Sequence, residues 1–137
     1  MANYKPILLV EDDRVDAMTV KRAIRQIKMQ HPMVHAENGE EALEYLQNSN
    51  NDKPWIILLD LNMPKMNGIE FLQVAKNDPG LQSIPVIVLT TSKEQQDRVE
   101  SFRFGVAGYM IKPVDYSQFL EMMEAIKMYW TLSVQPD

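Results

Sequence analysis

The sequence predicts an α/β fold in which a parallel sheet is wound on both faces by helices. Two observations predict it. Strand-like apolar runs alternate with helix-like stretches five times, the pattern of successive βαβ units. Three of the runs, Ile7-Leu8-Leu9-Val10, Ile56-Ile57-Leu58-Leu59 and Val86-Ile87-Val88-Leu89, are unbroken aliphatics, as expected of strands covered on both faces.

The elements follow in order. After the first run, Ala17, Val20, Ile24 and Ile27 recur at helical spacing, with Lys21, Arg22 and Arg25 elsewhere on the turn. Met33-Val34-His35-Ala36 reads as a short second strand. Asn38-Gly39-Glu40-Glu41 is a capping-box helix start, and Ala42, Leu43 and Leu46 are the apolar face behind it. Asn67-Gly68-Ile69-Glu70 repeats that signal before Phe71, Leu72 and Ala75. A third box, Ser92 to Gln95, opens a helix carrying Val99 and Phe102 and stopping at Gly105. Tyr109-Met110-Ile111 is the fifth strand. A fourth box, Asp115 to Gln118, precedes Phe119, Met122, Met123, Ile126 and Trp130. The second and fifth strands are mixed in polarity, which suits sheet edges. The implied arrangement is a single flavodoxin-like (βα)5 domain with strand order 2-1-3-4-5, whose switch point lies between strands one and three.

Composition narrows the class. A chain of 137 residues fits one domain, with 45% apolar and 24% charged residues, an ordinary balance for a soluble protein. Net charge −5 and a pI near 5.0 argue against a nucleic-acid binder, which would show a basic stripe. The absence of cysteine excludes disulfides and thiolate metal sites. No apolar run approaches the roughly 20 residues of a membrane span, and the first residues lack a signal-peptide core, so a cytoplasmic location is expected. No glycine-rich loop follows the first strand, so P-loop and dinucleotide fingerprints are missing.

The chemistry lies where the strands end. The first runs into Glu11-Asp12, the third into Asp60, the fourth into Thr90 and the fifth into Lys112-Pro113. In a parallel sheet these ends share one edge, where open α/β folds bind ligands. Glu11, Asp12 and Asp60 would bring about three negative charges together, and a divalent cation relieves that repulsion. Oxygen-only donors select a hard ion such as Mg²⁺. Asp60 could then attack a phosphoryl group to form an acyl phosphate, with Lys112 and Thr90 on the phosphoryl oxygens. Each residue alone has a plainer reading: a helix cap, a turn before Asn62-Met63-Pro64, an exposed lysine. Together, at four strand ends, they favour a site. His31 and His35 fall around the second strand, away from the acids, and read as structural.

These residues resemble the receiver domain of two-component response regulators. The resemblance rests on Leu9-Val-Glu-Asp-Asp13, Leu58-Leu-Asp-Leu-Asn-Met-Pro64 with Asn67-Gly68, Pro85-Val-Ile-Val-Leu-Thr-Thr91 and Gly105-Val-Ala-Gly-Tyr-Met-Ile-Lys-Pro113. It covers Lys5 to about Met128. It implies that Asp60 is the phosphoacceptor and that Glu11, Asp12, Asp60 and the carbonyl of Asn62 form the Mg²⁺ site. Lys112 would contact the phosphoryl group, Thr90 and Tyr109 would be the switch pair, and the Lys112-Pro113 bond would be cis. Asn62 and Ser92 would occupy positions that tune hydrolysis of the acyl phosphate, and the fourth helix, with Lys93, Arg98 and Arg103, would report the phosphorylation state. The implied function is phosphorelay signal transduction. A sensor histidine kinase or phosphotransfer protein would be the donor, and the phosphoprotein would act as a switch, not as a turnover enzyme.

The whole chain, 1–137, reads as one receiver with a core at about 5–128, a helical extension over 128–137 and no output domain. The long connection Asn48 to Pro54 and the extended last helix resemble regulators paired with bacterial phytochromes. In the extension, Tyr129, Trp130 and Leu132 suggest either a fold-back onto the domain or a homodimer surface through the C-terminal half. Four of the ten methionines, Met110, Met122, Met123 and Met128, fall in the last strand and helix and suit adaptable packing. Two rivals stand beside the receiver. A haloacid-dehalogenase-like phosphohydrolase would need a second Asp where Asn62 stands. A pseudo-receiver would bind partners without phosphorylation, against an intact set of acids, Thr90 and Lys112.

Overall fold

A computed structural model describes residues 4–132. Five strands, β1 (Ile7–Val10), β2 (Met33–Ala36), β3 (Ile56–Leu59), β4 (Val86–Thr90) and β5 (Gly108–Ile111), alternate with five helices. The helices are α1 (Arg14–Gln26), α2 (Gly39–Gln47), α3 (Gly68–Lys76), α4 (Gln95–Arg103) and α5 (Tyr116–Leu132). All strands pair in parallel in the order β2-β1-β3-β4-β5, as the sequence predicts.

Register divides the side chains into two cores. Leu8, Val10, Ile57, Leu59, Val86 and Val88 pack with α2 and α3, with Phe104 and Val106 completing that layer. Ile7, Leu9, Ile56, Leu58, Ile87 and Leu89 pack with α1 and α5 on the other face. The period-2 alternation of each strand thus serves two cores, which is why β1 and β3 contain no polar residue. β2 and β5 are only partly buried, consistent with edges. Among the described residues, no helix is long and apolar enough to cross a membrane.

The helix starts differ in detail from expectation. Asn67 and Glu70 form a complete capping box at α3. At α2, Asn38 accepts from the Glu41 amide, but the Glu41 carboxylate reaches the Glu37 amide instead, so the box is half made. Asp115 accepts from Ser117 two residues on, an Asx turn in place of a box. Ser92 does not cap α4. The helix begins at Gln95 behind Glu94, which offers no side-chain cap, because the Ser92 hydroxyl is drawn to Asp97. Val99 and Phe102 are about half exposed instead of forming a core face. The Lys112-Pro113 bond, expected cis, is trans, since no peptide among the described residues is cis. Trans is the lower-energy isomer before proline.

The C-terminal expectation divides. Trp130 folds into the α1–α5 core at 8% exposure, whereas Tyr129 at 65% and Leu132 at 79% face outward. Trp130 is therefore core rather than an exposed anchor. It stands one helical turn beyond Ile126, on the buried stripe of α5. Residues 133–137 of the expected extension lie outside the described residues.

Candidate functional site

The C-terminal ends of β1, β3, β4 and β5 converge, and backbone bonds beyond the strands hold each end in place. The Glu11 amide donates to the Ala36 carbonyl, Asp60 to Val10 and Lys112 to Thr90, at 3.0, 3.0 and 2.8 Å. Single carboxylate oxygens of Glu11, Asp12 and Asp60 all lie within 4.8 Å of one another. Glu11 and Asp60 are buried and Asp12 is exposed, so the cluster opens to solvent on one side.

Asp13 alone of the acidic run caps α1. Its carboxylate accepts from the amides of Val15 and Asp16 at 2.9 and 3.0 Å, leaving Glu11 and Asp12 free for other chemistry. Glu11 accepts from the Asp13 amide and from the Lys112 ammonium. Burial pushes Glu11 up to about 7, the Asp60 charge adds to the rise, and Lys112 holds it back. Burial opposes the charge on Lys112. Its bonds to Glu11 and Asp16 and the charges of Glu11 and Asp60 outweigh that, and its pKa is raised.

The donor set fits a hard divalent cation. Two buried carboxylates and a third at the rim present oxygen only, and one lysine offsets only part of their charge. Asn62 is exposed two residues beyond Asp60. Gly68, the first residue of α3, lies against the Asp60 backbone. A Cβ there would stand 2.6 Å from the Asp60 carbonyl oxygen and 2.7 Å from Leu61 Cα, so only glycine fits.

Thr90 is fully buried, and its hydroxyl accepts from the Ser92 amide at 3.2 Å. Tyr109 packs its half-buried ring on the α2–α3 core and donates its hydroxyl to the Ser92 carbonyl at 3.0 Å. Burial raises the Tyr109 pKa, so the phenol is a firm donor there. Both expected switch residues therefore grip one segment, 91–94. The Ser92 hydroxyl is committed to Asp97 and is not open to the acids.

Two functional contacts were missed by sequence reasoning. Asp16 shares Lys112 at 2.9 Å, which the i+3 spacing from the cap Asp13 could have suggested. His35 is not remote from the acids: its Nε2 lies 2.7 Å from the Glu11 carbonyl oxygen. It braces the β1–α1 turn from the neighbouring strand, a contact that only the register of β1 on β2 reveals. A cavity of about 410 Å³ flanks the site between α1 and the β5–α5 turn, lined by Lys112, Asp16, Thr91 and Val114 but by neither Asp60 nor Asp12.

Residues 7–124 match the model of the response regulator receiver domain. The chain belongs to this family. The receiver is 35% identical over 134 residues to the response regulator Rcp1 of Synechocystis sp., covering 95% of this chain and 91% of that one. Its fold superposes on the phosphorylated cyanobacterial phytochrome response regulator RcpA with a TM-score of 0.92, at 35% identity, over 98% of this chain and all of that one. The Mn²⁺-bound form of Rcp1 gives 0.89 at 34% identity, over 97% and 99% of the two chains. The receiver is thus a two-component signalling module of a family that regulates and that binds a divalent metal. The phosphohydrolase alternative falls with this assignment, and Asp60 also follows the third strand, not a first strand that opens the fold.

Proposed function

We propose that Asp60 accepts a phosphoryl group from a phosphohistidine of a sensor kinase or phosphotransfer protein. The observation that carries this is a buried Asp60 at the sheet edge, with two further carboxylates and a charged lysine gathered around it. In the step, the Asp60 oxygen forms a bond to phosphorus while the phosphorus–nitrogen bond of the donor breaks. The electron pair leaves with the imidazole. Asp12, Asp60 and the Asn62 carbonyl would hold Mg²⁺, with Glu11 reaching it through a water, and the ion would neutralise charge on the transferring group.

Lys112 spends two of its three N–H donors on Glu11 and Asp16, which leaves one for a phosphoryl oxygen. Thr90 moves its hydroxyl from the Ser92 amide to another phosphoryl oxygen, and Tyr109 follows the displaced 91–94 segment. The phosphoryl group shifts a pre-existing equilibrium only by interacting better with one of its states. The same residues assist hydrolysis of the acyl phosphate, so the lifetime of the signal is set within the receiver. The likeness to RcpA supports a phytochrome-type kinase as donor, which the receiver would meet in the cytoplasm. Outward-facing Met128, Tyr129 and Leu132 support a homodimer through the C-terminal half. The reading takes 1–137 as one domain.

Incubation with acetyl phosphate and Mg²⁺, followed by intact-mass measurement, tests the central claim. A single phosphoryl adduct that requires Mg²⁺ and is lost in Asp60→Asn is the expected result. No adduct on the wild type would favour a phosphorylation-independent binding module.

A further inference from the structure

α4 is the least anchored helix of the fold. Its only buried residue is Ser101, whose hydroxyl turns back to the Asp97 carbonyl at 2.8 Å. Val99 and Phe102 face solvent, and the N-cap residue Glu94 makes no side-chain cap. A helix with so little apolar attachment and no cap depends on other contacts to hold its first turn.

Ser92 supplies that contact. Its hydroxyl donates to the Asp97 carboxylate at 2.6 Å, a short charge-assisted bond, and accepts from the Glu94 amide at 3.4 Å. Asp97 sits in the first turn, where a carboxylate also meets the positive end of the helix dipole. The same Ser92 gives its amide to Thr90 and its carbonyl to Tyr109. One residue therefore joins the strand-end hydroxyl, the aromatic switch and the start of α4.

We infer that the Ser92–Asp97 hydrogen bond is the latch through which the position of Thr90 sets the order of the α4 N-terminus, with Asp97 as its positioning residue. The inference rests on the reading of Asp60 as phosphoacceptor. When Thr90 turns its hydroxyl to the phosphoryl group, the Ser92 amide loses its acceptor, residue 92 shifts, and the hydroxyl leaves Asp97. The first turn of α4 then loses its side-chain tie to the preceding loop. Asp97 touches neither the acids nor Lys112, so it acts on α4 and not on the chemistry.

Amide hydrogen exchange of residues 95–103, read alongside intact mass, tests this in the full chain with and without acetyl phosphate and Mg²⁺. In the wild type, exchange of the Arg98 and Val99 amides, the first that the helix protects, should rise about fivefold on phosphorylation, the factor that a bond of roughly 1 kcal/mol represents. Asp97→Ala should show that faster exchange beforehand and gain nothing more on phosphorylation, while still acquiring the adduct. Asp97→Asn, whose amide oxygen can accept the same hydroxyl, should restore the wild-type response. In a double-mutant cycle, the effects of Ser92→Ala and Asp97→Ala on α4 exchange should fall short of additive by the one bond they share, although Ser92→Ala also removes the acceptor of the Glu94 amide. If α4 of Asp97→Ala still responds to phosphorylation as the wild type does, the latch is wrong although the acceptor stands. If the wild type takes no adduct, both fall.

Discussion

Glu11 is under two opposing demands at once, burial that favours its neutral form and a proposed metal site that needs its charge. With its pKa raised to about 7 from an ordinary 4.5, the folded protein holds a proton that the unfolded chain has already released. Stability of the metal-free receiver should therefore fall as pH rises from about 4.5 to 7, by an amount on the order of 1–3 kcal/mol, and level off above. Urea unfolding in EDTA at pH 5 and pH 8 measures this, and Glu11→Gln should flatten that part of the slope. Mg²⁺ should stabilise the wild type more at pH 8 than at pH 5. Gly68 carries a second prediction. Gly68→Ala forces apart two backbones that meet under Asp60, so phosphorylation by acetyl phosphate should slow at least tenfold, with stability reduced by about 1–3 kcal/mol. A wild-type rate in that variant would mean the Asp60 turn tolerates displacement.

The helices end in ways that local sequence only partly discloses. α1 closes with a Schellman motif: Met29 donates to the Ile24 carbonyl and Lys28 to Arg25, both at 3.1 Å, with Lys28 in the left-handed region at φ 59°. α4 closes the same way on Gly105, at φ 77°. Glycine is the residue such a site favours, so Lys28→Gly should stabilise the protein by about 0.5–1 kcal/mol, read as a higher urea midpoint at unchanged slope. Lysines from elsewhere serve two helix ends as well: Lys53 reaches the Leu46 carbonyl and Lys127 the Ile27 carbonyl, each at 2.7 Å. Element type and order were legible because aliphatic runs and Asn67–Glu70 report local conformation directly. The acidic cluster of Glu11, Asp12 and Asp60 was legible because strand ends of a parallel sheet share an edge. The start of α4 was not, since the Ser92 hydroxyl could either accept from a helix amide or donate to a carboxylate, and the loop geometry chose Asp97. Asp16 on Lys112 and His35 behind Glu11 were equally hidden, being contacts across 96 and 24 residues.

At the scale of the molecule, two cores on one sheet leave the polar edge and the end of α5 for partners. Met128, Tyr129 and Leu132 are 65–79% exposed, an apolar strip with no cover from the described residues of its own chain. The double variant Tyr129→Ser/Leu132→Ser should convert a dimer into a monomer by light scattering at micromolar concentration while leaving acyl-phosphate formation intact. A wild type that scatters as a monomer would remove the dimer from the proposal.

The backbone bonds that tie Glu11 to Ala36, Asp60 to Val10 and Lys112 to Thr90 have one more consequence. They remove translational freedom from Asp60 and from the groups around it, so under the proposed reading an added phosphoryl group cannot be accommodated by retreat of Asp60. Residues 91–94, a neighbouring segment held mainly by side chains, are one place into which that displacement can travel. A rigid seat beside a loop held by side chains lets a local chemical change become motion at the start of α4.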